Sequence, residues 1–241
     1  MNLHKFYYKE YFEGIDFEYL TKDKPEAPQN VIDEIKRKNQ KLLSCSLSKG
    51  NDLPTNGLNT FQLKTIYPGL VTGVGITHEA KIEGEFKLGV HFDYTFGMPV
   101  IYGSSVKGTL RSFFKDFLPE KFKEQEDCWE KDIFAGEISE GKLKSIYNRD
   151  IFYDAVIVRS NGPILASDSI TPHGDNPLKN PTPITFLKIA PGCTIEFRFK
   201  LVKSIIGGEV FSVQDKLELF EKILKTVGVG AKTNVGYGQF E

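Results

Sequence analysis

No run of apolar residues in this 241-residue chain approaches the roughly 20 needed to span a bilayer. The opening Met1-Asn-Leu-His-Lys-Phe-Tyr-Tyr-Lys-Glu10 has no apolar core of a secretory signal, so none is expected. Cysteine is scarce. Cys45, Cys128 and Cys193 lie far apart with no Cys-x-x-Cys, which argues against a disulfide framework or a zinc ribbon and fits a reduced cytoplasm. Charge of one sign is missing too. With 31 basic and 32 acidic residues the net charge is −1, so any nucleic-acid surface must be local rather than a property of the whole chain. Internal repeats and low-complexity tracts are absent. What is present is globular: 40% hydrophobic, 12% aromatic and 26% charged residues, in a length that suits one large domain or two small ones.

Residues 1–20 are rich in aromatics: Phe6, Tyr7, Tyr8, Tyr11, Phe12, Phe17 and Tyr19. A helix is expected from Asn30, as its cap, to about Cys45; Lys36, Arg37, Lys38 and Lys41 then read as bases toward the negative helix end rather than as an RNA patch. Residues 44–60 read as a polar loop and 61–77 as extended. From 86 to 96, Phe86, Leu88, Val90, Phe92, Tyr94 and Phe96 alternate with polar residues and glycine, the period-2 pattern of a half-buried strand. Val106, Leu110, Phe113, Phe114 and Phe117 form one apolar stripe of a helix over 104–118, ended by Pro119. A short helix around Trp129 closes at Gly136, and 151–158 reads as a buried strand. Residues 160–183, with five prolines, read as a long irregular and therefore functional loop. Strands at about 184–190 and 193–203, a Gly207-Gly208 turn, a helix over 213–227 with Val213, Leu217, Phe220 and Leu224 on one face, and a last strand near 235–240 complete the chain. The class is α+β.

Three segments carry chemistry. Gly103-Ser-Ser-Val-Lys-Gly-Thr-Leu-Arg111 places small residues at a helix N-terminus, where unpaired N–H groups favour an anion. Lys107, Arg111 and Lys115 follow at i, i+4 and i+8 as a basic stripe beside the apolar one. The same pattern also suits an ordinary amphipathic helix. The C-terminal segment has Gly228, Gly230, Gly236 and Gly238 around Lys232-Thr233-Asn234, with Tyr237 as a stacking group. It is not a Walker A loop, because Thr226 and Ala231 stand where glycines belong, and no dinucleotide fingerprint fits, because the sixth position from Gly228 is Thr233. It reads as a loop whose backbone approaches a ligand, against the alternative of a tight helix-to-strand connection. Asp168-Ser-Ile-Thr-Pro-His173-Gly-Asp175 offers a histidine between aspartates, yet His4, His78 and His91 are remote and no ligand set or nucleophile triad forms; a structural role for His173 and for His78 is the better reading.

Taken together, the 103–111 and 228–240 segments resemble the helix start and C-terminal glycine-rich loop of the RAMP superfamily of CRISPR proteins, except that Tyr102 stands where the superfamily's proline precedes Gly103. With Thr72-Gly-Val-Gly-Ile76, Asp168–His173 and Pro183-Ile-Thr-Phe-Leu187, the chain is most similar to the sixth-subunit family of the type III-B, or Cmr, effector complex. The resemblance implies a ferredoxin-like (RRM-like) β-α-β-β-α-β core over 61–241, with a long inserted loop at 160–183 and an N-terminal extension, 1–60, packed on it. It implies a non-catalytic backbone subunit binding guide RNA near its 3′ end, with target RNA and other Cmr-type subunits as partners, no cofactor, no metal and no membrane, in antiviral defence. The implied RNA-binding residues are Gly103, Ser104, Ser105, Lys107, Arg111, Gly228, Gly230, Lys232, Thr233, Asn234, Gly236 and Tyr237. Two alternatives stand beside it. One is a metal-independent endoribonuclease of the superfamily using His78 or His173 as the acid–base group. The other is an assembly protein whose N-terminal aromatics are buried against a neighbour.

Overall fold

The architecture comes from a computed structural model, which describes residues 1–23, 26–47, 54–73, 80–86, 89–139, 141–171 and 183–241. In chain order its elements are α1 (Leu3–Lys5), α2 (Gln29–Leu43), β1 (Asn59–Lys64), β2 (Val100–Ile101), α3 (Gly103–Phe117), α4 (Glu126–Glu130), β3 (Glu137–Ser139), β4 (Lys142–Leu143), β5 (Ile151–Phe152), β6 (Ala155–Ser160), β7 (Leu165–Ile170), β8 (Ile184–Ile189), β9 (Cys193–Lys200), β10 (Ser204–Ile206), β11 (Glu209–Phe211) and α5 (Val213–Val227). It is a mixed α/β fold around an antiparallel sheet.

Alternation sets that sheet. In β1, Phe61 and Leu63 are buried while Gln62 between them is exposed. Antiparallel pairing with β9 puts Phe61 opposite Phe197 and Leu63 opposite Ile195, so one face is apolar over both strands. The sheet order is β1-β9-β6-β2, with β5 also on β9. The chain end extends the free edge of β1, where Lys64 and Glu241 exchange backbone hydrogen bonds of 3.0 and 2.9 Å. Helices α3 and α5 pack on each other, and α5 also packs on β1. Their buried residues, Val106, Leu110 and Phe114 from one and Leu219, Phe220 and Ile223 from the other, join the sheet's Phe197 and Phe199 in one core. The Phe199 and Phe220 rings lie 5.5 Å apart.

Local sequence explains where these helices begin and stop. Leu118, preceding Pro119, is held extended and ends α3. Ser212 and Asp215 form a reciprocal capping box that starts α5. The apolar face of α5 is rotated from the expected one: Lys216, Leu219 and Ile223 are buried along with Phe220 and Leu224. Lys216 is tolerated in the core because its Nζ donates to Asp150 Oδ2 (2.5 Å), Val202 O (2.7 Å) and Ser204 Oγ (2.8 Å). Helix α2 is preceded by Pro28 rather than capped by Asn30, and Val31, Ile35, Lys38 and Leu42 form its buried face. Three of its four cations are engaged within the chain: Lys38 Nζ donates to the Glu10 and Glu13 carbonyls at 2.8 and 2.6 Å, Arg37 pairs with Glu34, and Lys41 lies over the Phe6 ring.

Five expectations are corrected. The segment 86–96 is not a strand among its described residues. Tyr7 and Tyr11 pack on Phe92 and Phe86, and the Asp93 carboxylate accepts from the Thr95 and Phe96 amides (2.8 and 2.7 Å), turning the chain and leaving Tyr94 and Phe96 exposed. Among the described residues of 61–77 the strand runs only through Lys64, with 74–77 outside the described residues, and the end of the chain makes a 3-10 turn at Thr233–Val235 with a single bridge at Phe240 rather than a strand over 235–240. Within 160–183, residues 165–170 are strand β7, paired along its whole length with β8; 172–182 lie outside the described residues. Finally, Phe6, Tyr7, Tyr11 and Tyr19 are buried within this chain, not held for a neighbour.

Candidate nucleic-acid interface

The glycine-rich segment is fixed first by its own backbone. Gly228, Gly230, Gly236 and Gly238 all have positive φ, between 71° and 96°. At Gly230 a Cβ would collide with the Val71 carbonyl, and at Gly228 and Gly238 with the carbonyls of Gly238 and Val229. The close approach is therefore to this chain's own backbone: Gly238 N donates to Gly69 O (2.8 Å), Ala231 N to Val71 O (2.8 Å) and Val229 N to Gly238 O (3.0 Å). Gly236 differs. Its Cβ position meets only Pro68 Cδ, at 3.6 Å. The loop leaves Asn234 and Val235 exposed, and Lys232, itself left-handed at φ 62°, has no ion pair among the described residues.

Tyr237 is not a free stacking face. It is 9% exposed, packs edge-on against Phe186 at 5.9 Å, and its hydroxyl donates to Asp168 Oδ2 at 2.8 Å. Lys188, also buried, donates to the same oxygen at 2.5 Å and sits 5.4 Å over the Tyr237 ring. Burial alone would raise the Asp168 carboxyl, but the bonds from Lys188, Tyr237 and the Ser169 amide outweigh it and hold the group below its ordinary range. Burial, followed by the bond to Asp168, pushes the Tyr237 phenol up to about 12. The hairpin β7–β8 is thereby pinned to the glycine loop through three side chains from distant parts of the sequence. The exposed ring beside the loop is Tyr67, 83% accessible, on the turn 66–69 that pairs with 238–239.

At the start of α3 the small residues again serve the protein. Gly103 passes so close to the Phe152 carbonyl that a Cβ cannot fit, and its amide donates to Asp154 Oδ1 at 2.7 Å. The basic stripe is largely neutralised. Arg111 pairs with Glu130 of α4 at 2.8 Å, and Lys115 pairs with Asp127 and, at 3.3 Å, Glu130. The hydrogen bond from Arg111 is the main reason that the Glu130 carboxyl lies below its usual range. Lys107 alone has no acid partner among the described residues; it lies 5.8 Å from the Phe152 ring. Ser104 is exposed and Ser105 half-buried.

The two segments are joined through a residue the sequence did not single out. His91 stacks on Tyr102, the residue before α3, at 4.6 Å. Its ring fills the space a Cβ at Gly73 would occupy, and its amide donates to Thr72 Oγ1 at 2.7 Å. Burial lowers the His91 imidazole, and Nδ1 has no hydrogen-bond partner among the described residues. The path Tyr102–His91–Thr72–Val71–Ala231–Tyr237–Asp168 thus draws the helix start, the Thr72 segment, the glycine loop and the Asp168 hairpin into one continuous array. Alternation and spacing could not show this, because the contacts Tyr102–His91, His91–Thr72, Val71–Ala231 and Tyr237–Asp168 join residues from 11 to 160 positions apart in the sequence. His78 and His173 lie outside the described residues. No group of His, Cys, Asp and Glu that could hold a metal occurs among the described residues.

The CRISPR system CMR subunit Cmr6 of Saccharolobus solfataricus is 31% identical over 160 residues, 65% of this chain and 49% of the relative, so the match spans about half that protein's length. A chain in the cryo-EM structure of the Type III-B Cmr-beta bound to cognate target RNA superposes with a TM-score of 0.55 at 20% identity, covering 100% of this chain and 85% of that one. Cmr6 from Pyrococcus furiosus is 18% identical, with a TM-score of 0.36 over 76% of this chain and 97% of its own. No helix among the described residues is long and apolar enough to cross a membrane. The RAMP superfamily model matches residues 62–241, three-quarters of the chain and all four convergent segments, and the chain belongs to that superfamily.

Proposed function

We propose that the chain is a non-catalytic guide-RNA-binding subunit of a type III-B effector complex, placed near the 3′ end of the guide, with target RNA and other Cmr-type subunits as partners in cytoplasmic antiviral defence. The observation that carries this reading is the convergence of the four motif segments on one array, with Lys107, Lys232, Asn234 and Gly236 left open to a polyanion. Ser104, Ser105 and Thr233 supply hydroxyls beside those cations. Gly103, Gly228 and Gly230 shape the backbone, and Tyr237 anchors the loop from beneath. Arg111 reaches phosphate only when its pair with Glu130 opens.

A ferredoxin-like core is part of the same proposal. What supports it is the order chain end–β1–β9–β6, all antiparallel, with α3 between β1 and β6 and α5 between β9 and the chain end, as a split β-α-β arrangement requires. The test is reconstitution with labelled guide RNA and the other subunits. Omission of this chain is expected to leave the 3′ region of the guide open to nuclease, and its incubation alone with repeat RNA without divalent metal is expected to give no discrete product. Full protection without the chain overturns the reading; a discrete product returns the function to an endoribonuclease.

A further inference from the structure

The N-terminal segment, which the superfamily match does not cover, builds a surface of its own beside the start of α3. Helix α1 is tied to the 93–97 turn: Leu3 N donates to Gly97 O at 2.8 Å, and a Cβ at Gly97 would collide with Asn2. This docking sets three rings side by side. His4 lies 4.7 Å from Tyr8 and 6.3 Å from Tyr94, and Tyr8 stands edge-on to the buried Phe92 at 6.5 Å. Tyr8 is also a neighbour of Tyr102, which, after burial, contributes to raising its phenol. Tyr102 continues the row by stacking on His91. Tyr94 is 76% exposed, and Tyr8 and Tyr102 are each 39% exposed.

We propose that this row is a stacking platform for unpaired bases of single-stranded RNA, and that the N-terminal segment thereby completes the interface begun by the helix start. The inference rests on the RNA-binding reading above. The chemistry favours a nucleobase over an apolar protein segment. Every exposed member of the row carries a hydroxyl or an imidazole at its rim, so each offers a π-face and a hydrogen-bonding edge together, as base recognition needs and an apolar side chain does not use. The row is also continuous, through Tyr102 and His91, with the array that leaves Lys107 and Lys232 open.

The probe is a labelled single-stranded oligouridine and an abasic oligoribonucleotide of the same phosphate number, titrated against the full chain by fluorescence anisotropy. The wild type is expected to bind the base-bearing strand more tightly than the abasic one. Tyr94→Ala and Tyr8→Ala are each expected to weaken oligouridine binding by about fivefold or more, the effect of losing one stacked base, and to leave abasic binding unchanged. Tyr94→Phe keeps the ring and is expected to bind as wild type, which separates stacking from misfolding. If the wild type binds oligouridine but Tyr94→Ala and Tyr8→Ala bind it equally well, the platform is overturned while the RNA-binding reading stands. If those variants keep RNA affinity and instead fail to enter a reconstituted complex, the row is a protein-docking surface and the proposal is overturned. If the wild type binds neither strand, the RNA-binding reading itself falls.

Discussion

The start of α3 and the C-terminal glycine loop look alike in sequence, small residues beside cations, yet the fold uses them differently. At the helix start the Gly103 amide and two of the three stripe cations are already taken, which leaves Lys107 beside the Ser104 and Ser105 hydroxyls. Asp154 holds the Gly103 amide, and Glu130 and Asp127 hold Arg111 and Lys115. At the loop, three glycines are consumed by contact with the chain's own backbone, but Lys232, Asn234 and Gly236 remain open. A glycine cluster therefore testifies to close backbone approach without saying whose backbone approaches.

The largest expected effects test that division. Gly230→Val and Gly238→Val place a branched side chain at positive φ against a carbonyl, and each is expected to cost about 2–4 kcal/mol in denaturant unfolding, strain and overpacking together. Gly236→Ala carries backbone strain alone, about 1 kcal/mol. Equal losses at positions 230 and 236 would erase the distinction between the loop's inner and outer glycines.

A smaller effect reports on the anchor beneath the loop. Because the folded Tyr237 phenol lies at about 12, its contribution is complete below the unfolded value near 10 and is lost as pH rises from there through about 12. Tyr237→Phe is expected to cost about 1–2 kcal/mol at neutral pH, with a shallower alkaline decline than the wild type. The lowered Asp168 carboxyl works in the opposite direction: its contribution is complete above the unfolded value near 4 and disappears as pH falls through the folded one. Identical alkaline melting curves for wild type and Tyr237→Phe would detach the tyrosine from the anchor.

Salt dependence compares the two cation sets directly. Lys232→Ala is expected to reduce the slope of log K against log salt by about 1, whereas Arg111→Ala leaves it nearly unchanged because Glu130 already holds that guanidinium. Equal reductions would make the helix start and the loop equivalent RNA contacts. The smallest effect is a gain: Glu130→Gln frees Arg111 and weakens the hold on Lys115, and the slope is expected to steepen by about 1. No change would show that these two cations face away from the RNA.

Local rules were legible wherever a residue and its neighbours decide the outcome. Pro119 ends α3, Gly136 closes the α4 region in the left-handed conformation, and Gly207-Gly208 makes the β10–β11 turn. The superfamily motifs, being contiguous strings, were legible for the same reason. Alternation over 86–96 misled because it reports which side chains are apolar, not what covers them. Here the N-terminal tyrosines cover the buried rings, and among the described residues the segment pairs only locally, by a bridge of Phe92 with Pro99 and a bond from Val100 N to His91 O. The prolines of 160–183 likewise outweighed a six-residue strand whose partner, β8, lies across the segment.

By itself, then, the sequence determined the α+β class, the three long helices, the superfamily and the segments that carry its motifs. Tertiary structure decided which groups in those segments are free. Charge neutralisation of Arg111 by Glu130, burial of Tyr237 on Phe186 and Asp168, and the union of Tyr102, His91 and Thr72 all depend on contacts between residues far apart in the chain. Spacing along one element specifies the face a side chain occupies, whereas its availability to a ligand is set by whatever the rest of the fold places opposite that face.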